Sequence, residues 1–286
     1  MIQWNLYLFN PMKPILPIHD LQFCHAFSSS DWHKPAHFNW SFNKLVEGKD
    51  YTFLTDYFVA RTDEFPNHRK FLWLVESPGI MREKYNFALD NIHKYDLVFS
   101  HNDKILEKAG EKGRLLPIGG CHLSDDEIGL HKNSKTKLVS MIFSGQNWLP
   151  GHQMRHSVYS LFGNKIDCMG SGLTGQKLRK VHACKDYKFQ IVIENVSEGY
   201  YFTEKIIDSF LAGCIPIYWG CQRISEFFDT SGFLIFNSMD ELGDILKSDL
   251  DGFWERNQDA IAKNFNLALK YKVAEDYLWE NYRDIL

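Results

Sequence analysis

Residues 189–219 read as strand, helix and strand in quick succession, and no other stretch constrains the fold as much. FQIVIEN is a short apolar run that ends at Asn195. In TEKIIDSFLA, Ile206, Ile207, Phe210 and Leu211 recur at helical spacing, and IPIYW reads as a second buried strand. Strands alternating with helices point to an α/β layer. Yet this helix opens on two opposite charges, Glu204 and Lys205, directly after Tyr200, Tyr201 and Thr203.

The rhythm continues on both sides. In the first half, NLYLFN, YTFLTDYFVA, FLWLVESP and DLVFSHN have strand character, and residues 82–95 have helical character. In the second, strand 138–145, helix 153–163 and KIDCMG precede the opening unit, and FLIFNS (233–238) follows it. Residues 121–137 are polar and read as an interdomain linker, and residues 253–286 are helical in pattern. The chain has 286 residues, 44% of them hydrophobic, enough for two domains of about 140 residues. The expected division is 1–130 and 131–286, the second part carrying the terminal helices. Halves of this kind face one another across a cleft and bind ligands at the carboxyl ends of their strands.

Charge removes some function classes. The net charge is −4 and the pI near 6.3, so no global basic field for nucleic acid is expected. The N-terminus lacks the basic region and cleavage site of a signal peptide, and no apolar run approaches the ~18 residues of a membrane span. The six cysteines, Cys24, Cys121, Cys168, Cys184, Cys214 and Cys221, form no C-x-x-C pair and read as reduced core residues. A cytoplasmic protein is the expectation.

Four places carry candidate chemistry. Thr203 can cap the helix that follows it, whose free N–H groups and Lys205 suit a phosphate; Glu204 can accept sugar hydroxyls, and Tyr200 and Tyr201 offer ring faces. The same residues also fit a plain Thr-Glu cap with a solvated lysine. In 144–156, a strand end and loop lead to a helix carrying Arg155, which can clamp a pyrophosphate or simply lie on a surface. His152 and His156 there have zinc-like spacing but lack the Glu of that motif and a third ligand, so no metal is expected. GSGLTG (170–175) matches G-x-G-x-x-G, with Glu194 at a fitting distance, but it follows an earlier strand-helix unit instead of opening the domain. Finally, Glu76 stands at a strand end before Ser-Pro, among apolar groups that raise a carboxyl pKa toward the range of a base; a turn-capping role fits equally.

The run IVIENVSEGYYFTEKIIDSFLAGCIPIYWG resembles the signature of the α1,3/4-fucosyltransferases, glycosyltransferase family ten, and is most similar to the bacterial members. The resemblance extends less tightly over about 138–240; in the first half it rests on VESP and the helix after it. It implies a GT-B fold, GDP-β-L-fucose as donor with no further cofactor or metal, and inversion at the anomeric carbon. By position, Lys205 and Arg155 match the pyrophosphate-binding pair, and Glu204 the carboxylate that holds the ribose. Asn195 and Tyr201 match other donor-site positions, Glu194 belongs to the same element, and Glu76 matches the proposed general base. The implied acceptor is a GlcNAc- or glucose-containing glycan, such as that of a lipopolysaccharide, fucosylated at O3. Ile193 replaces the usual Phe, the region around GSGLTGQKLRK diverges, and the heptad repeats and basic amphipathic tail of some bacterial members are missing. At most a weak association with a membrane surface is then expected.

Retaining GT-B enzymes carry paired glutamates eight positions apart in this region. Here the positions eight after Glu194 and Glu198 are Phe202 and Ile206, which argues against retention. Competing readings are a different nucleotide sugar, an inactive carbohydrate-binding homologue, and a dehydrogenase built on GSGLTG. Residues 27–40, rich in aromatics and His, are a candidate acceptor surface or core.

Overall fold

The computed structural model describes residues 13–20, 33–129 and 135–286. The strand-like NLYLFN and residues 27–32 lie outside them. Two sheets result, and every strand pairing is parallel. The first contains β1 (Ile15–His19), β2 (Asn39–Phe42), β3 (Tyr51–Thr55), β4 (Arg69–Trp73), β5 (Leu97–Ser100) and β6 (Gly113–Leu115), in the order β2-β1-β3-β4-β5-β6. The second contains β7 (Lys137–Ile142), β8 (Asp167–Met169), β9 (Tyr187–Ile193), β10 (Ile215–Trp219) and β11 (Leu234–Ile235), in the order β11-β10-β9-β7-β8. This is the two-domain α/β architecture of a GT-B fold.

Parallel strands need a crossover between them and are covered on both faces, which is why their sequences read as apolar runs. In the first sheet, alternate residues divide between two cores. Tyr51, Phe53, Phe71, Trp73 and Phe99 pack on one face. Leu54, Leu72, Leu74 and Val98 pack on the other, under α1 (Arg82–Asp90) and α2 (Asp103–Ala109) through Tyr85, Ala88, Ile105 and Ala109.

The second sheet positions the site. Its order reverses at β7: the chain goes to β8 on one side and β9 on the other. A crevice opens at the carboxyl ends of two strands whose connections leave in opposite directions. From β7 the chain enters α3 (Pro150–Phe162), and from β9 it enters α5 (Glu204–Leu211). The helices carrying Arg155 and Lys205 therefore start at the same crevice.

Two expectations need correction. Residues 121–129 are not a free linker: Cys121 and Leu123 are fully buried in the second core, and the His122 N–H donates to Asp208 Oδ1 at 2.7 Å. The terminal helices do not all stay with the second domain. α8 (Gln258–Leu269) packs on α5, but α9 (Ala274–Tyr282) returns to the first sheet. There Ala274 and Leu278 close the aromatic face, and Tyr282 Oη donates to the Leu115 carbonyl at 2.7 Å. That face is too apolar to leave in water. For residues 27–40, read as acceptor surface or core, three of the described residues are packed: Phe38 is fully buried, His33 bonds the Leu123 carbonyl at 2.7 Å, and Trp40 stands edge-on to Phe53.

Candidate active site

Glu194 is the first residue after β9 and is completely buried. Its carboxylate accepts the Thr203 N–H at 2.9 Å and the Thr203 hydroxyl at 2.8 Å. One acid thus closes the loop 195–203 and places the start of α5. Thr203 caps that helix, as its position suggests, accepting the Lys205 N–H at 3.4 Å. The Lys205 ammonium lies 3.1 Å from Thr203 Oγ1, 3.4 Å from Glu194 and 3.5 Å from Glu204. Burial works against a charged lysine there, but Glu204 and Glu194 outweigh it and hold Lys205 above its ordinary pKa.

Glu204 is the opposite case. Burial favours its neutral form, yet Lys205, Lys180 and His122 hold the carboxyl well below the usual range. Lys180 lies 3.5 Å away and His122 Nδ1 3.7 Å. Neither was singled out in the sequence, because the contacts come from loops 24 and 82 residues distant.

Arg155 is 7% exposed, with one guanidinium nitrogen donating to the Ile193 carbonyl at 2.5 Å and another to Asn195 Oδ1 at 3.2 Å. Burial lowers its pKa, and Glu194 and Glu204 oppose the fall. The surface alternative for Arg155 is excluded. A guanidinium has five N–H donors, so it can hold Asn195 and still offer donors to an anion. Its placement depends on Gly151: a Cβ there would lie 1.7 Å from the Glu194 carbonyl oxygen. Only a glycine lets the first turn of α3 rest on the end of β9.

Tyr201 is 2% exposed and packs with Leu149 and Val196 against Ile80 and Ile118 of the first domain. Burial, then the charge of Glu194, pushes its hydroxyl well above the ordinary tyrosine range. Its ring also faces His101, centroids 5.1 Å apart.

On the first domain, Glu76 sits on the turn after β4, partly exposed. The turn is fixed by Asp56, which the sequence reading passed over. Asp56 is fully buried and accepts the N–H groups of Val75 and Glu76, each at 3.0 Å. Tyr85 Oη donates to the Glu76 carbonyl at 2.7 Å and meets His101 Nε2 at 3.1 Å. Burial pushes His101 down to about 4, so it is neutral at physiological pH. The charge of Glu76 adds, after nearer acids, to the upward shifts of Lys205 and Tyr201. Arg155, Glu194, Asn195, Glu204 and Lys205 therefore gather at the end of β9, with Tyr201 buried beside them against the first domain and Glu76 on the turn of that domain.

Other candidates fall away from it. His152 Nδ1 accepts the Leu149 N–H at 3.4 Å and His156 Nε2 meets the Gln146 carbonyl at 3.0 Å, so the pair does not converge on an ion. Among the described residues, no group of three or more His, Cys, Asp or Glu is placed to hold a metal. GSGLTG opens only α4 (Ser171–Thr174), one turn long, beside the edge strand β8. A dinucleotide site needs a full helix on that turn.

Residues 132–284 match the family model for the C-terminal region of glycosyltransferase family 10 (fucosyltransferase). The mouse 4-galactosyl-N-acetylglucosaminide 3-alpha-L-fucosyltransferase 9 is 24% identical over 229 residues, covering 76% of this chain and 58% of that protein. The alpha-(1,3)-fucosyltransferase FucT of Helicobacter pylori is 32% identical over 107 residues, 34% of this chain and 22% of that one. The chain thus spans less than two thirds of these relatives. A crystal structure of an alpha1,3-fucosyltransferase with GDP superposes with TM-score 0.57 at 16% identity, over 94% of each chain. Alr3699/HepE of Anabaena with UDP superposes at 0.59 and 12% identity, over 95% of this chain and 100% of that one. Those superpositions speak for the fold, and the family model, spanning more than half the sequence, speaks for descent: the chain belongs to glycosyltransferase family 10, the fucosyltransferases.

Proposed function

We propose that the chain transfers L-fucose from GDP-β-L-fucose, with inversion, to a hydroxyl of a GlcNAc- or glucose-containing glycan, O3 being the expected position. The observation that carries this reading is that Arg155 and Lys205 both hold the end of β9, through Ile193, Asn195 and Glu194, at the β7/β9 switch point. Two fixed cations and the N-terminus of α5 suit the diphosphate of a nucleotide sugar.

In this reading Glu76 takes the proton of the acceptor hydroxyl as its oxygen attacks the anomeric carbon. The bond from that carbon to the β-phosphate oxygen breaks, and its electron pair leaves with GDP. Arg155 and Lys205 hold the charge that develops there, and Glu204 accepts the ribose hydroxyls. Attack from the face opposite the leaving group turns a β-linked donor into an α-linked product. Asp56, Tyr85 and His101 keep the Glu76 turn in place.

A second donor is the alternative with a specific observation behind it, since a similar fold holds UDP in Alr3699/HepE. Calorimetric titration of GDP-fucose, GDP-mannose and UDP-GlcNAc into wild type and Lys205→Ala separates the two. GDP-fucose binding that weakens in the variant supports the proposal. UDP-GlcNAc binding without GDP-fucose binding sinks the donor assignment. NMR of the product's anomeric proton tests inversion.

A further inference from the structure

The phosphate-facing side chains line only part of the cleft. A second compartment of about 730 Å³ opens past Pro78 and Gly79, two and three residues after Glu76, and its lining includes none of Glu76, Arg155, Glu204 and Lys205. One wall is the turn after Glu76 with α1 and the start of α2; the other is the segment before α3 and the loop after Asn195. Tyr85, whose hydroxyl holds the Glu76 carbonyl, is shared between wall and base.

We infer that this compartment receives the acceptor, and that its occupant is an uncharged pyranose stacked on Trp148, with a hydroxyl bonded to Glu198. The inference rests on the fucosyl-transfer reading and adds to it where the second substrate lies and what class it is. A two-substrate transferase needs a second space close to the base, and this cavity starts at Pro78, two residues after Glu76, with Tyr85 in its wall bonded to the Glu76 carbonyl.

The lining fits a sugar. Trp148 is 56% exposed, and His152 meets its ring edge-on at 5.4 Å, which steadies the indole. A flat aromatic face beside polar groups suits the C–H face of a pyranose. On the same wall, Glu198 accepts Asn102 Nδ2 across the domain boundary at 3.2 Å. Asn102 Oδ1 caps α2, accepting the Ile105 N–H at 3.2 Å, so the amide cannot turn over. A carboxylate has about four acceptor positions, and Asn102 takes one, leaving others for hydroxyls. Arg82 and Lys104 are matched in the lining by Asp103 and Glu198, so no net charge draws an ionic acceptor.

The wall is preformed. Gln222 N–H donates to the Glu198 carbonyl at 3.2 Å, and the Ser197 hydroxyl to the Gly220 carbonyl at 2.8 Å. Gly199 lies so close to Asp103 that a Cβ would stand 1.8 Å from its carboxylate oxygen. Preformed walls reduce the ordering cost of binding. Acceptor selection then falls partly on the nucleotide-binding half of the chain, through Trp148 and Glu198, and not on the first half alone.

The test uses the full chain as wild type, Trp148→Ala and Glu198→Gln. GDP affinity is measured by calorimetry, and transfer from GDP-fucose is followed to 4-galactosyl-N-acetylglucosamine and to its 3′-sialylated form. The expected result is unchanged GDP affinity and an acceptor KM raised about tenfold or more in both variants, the scale of one lost hydrogen bond to a charged group. The sialylated sugar should be the poorer wild-type acceptor. Wild-type acceptor KM in both variants overturns the inference and leaves the transferase reading standing. So does a preference for the sialylated sugar, or transfer to neither sugar with the donor bound. GDP affinity lost in both variants would give the compartment to the donor and also overturn it. Failure of the wild type to bind GDP-fucose removes the donor reading itself, and the inference with it.

Discussion

The Lys205 ammonium lies 3.4 Å from a Glu194 carboxylate that is entirely shielded from water. Glu194 also holds both the N–H and the hydroxyl of Thr203. The lysine that would meet the diphosphate is thus neutralised and steadied by the acid that shapes its loop. Lys205→Ala should do two things: weaken GDP affinity by about tenfold or more, and cost on the order of 3 kcal/mol by leaving a buried carboxylate without its cation. Calorimetry and urea unfolding read these separately; a variant with wild-type stability would mean that Glu194 does not depend on Lys205.

Glu76→Gln keeps the backbone N–H that Asp56 accepts and removes the carboxylate proposed as the base. Turnover should fall by about 10²- to 10⁴-fold while GDP affinity stays as in wild type. Equal losses in both would show that Glu76 serves the donor instead.

Gly151→Ala places a methyl 1.7 Å from the Glu194 carbonyl oxygen, in backbone that cannot give way cheaply. α3 must shift, and Arg155 moves with it. Stability should fall by about 1–3 kcal/mol and GDP affinity should fall as well. Retained affinity would show that the clamp does not need this contact.

His101 and His152 are both buried as neutral rings, each pushed from 6.5 down to about 4. For His152 burial leads, aided by Arg155 and Lys205. In the unfolded chain both protonate below about 6.5, whereas in the folded chain they do not until about 4. Their stabilisation is therefore complete above that upper value and is lost as pH falls through the window. His101 alone accounts for about 3 kcal/mol. Unfolding free energies of wild type and His101→Gln, measured from pH 7 to pH 4, should converge toward the acid end. Parallel curves would contradict this.

Leu278 is fully buried against the aromatic face of the first sheet. Leu278→Ala should cost about 2–5 kcal/mol by transfer and cavity terms. A much smaller cost would mean that α9 contributes little to that core.

The β-α-β signal of 189–219 was legible because its apolar spacing is local, and the residues at its turn stand side by side in the chain. That is why Tyr201, Glu204 and Lys205 could be named from the residues themselves, as Arg155 could from its own strand-loop-helix unit, whereas Glu194 and Asn195 were named through the resemblance to the fucosyltransferase signature. The capping role of Thr203 was legible for the same reason: a cap is a relation between residues two or three apart.

What tertiary structure alone decided depends on residues far apart in the chain. Asp56 holding the Glu76 turn, Lys180 and His122 beside Glu204, and the buried state of Arg155 have no periodicity to announce them. GSGLTG had the spacing of a dinucleotide turn but only a one-turn helix and a sheet edge to support it. The polar composition of 121–129 suggested a linker, yet Cys121 and Leu123 are buried in the second core, because a few apolar side chains suffice to dock a segment. The return of α9 was hidden for the same reason. An amphipathic helix shows in its sequence that it must cover something apolar, and only the packed chain shows which sheet needs covering.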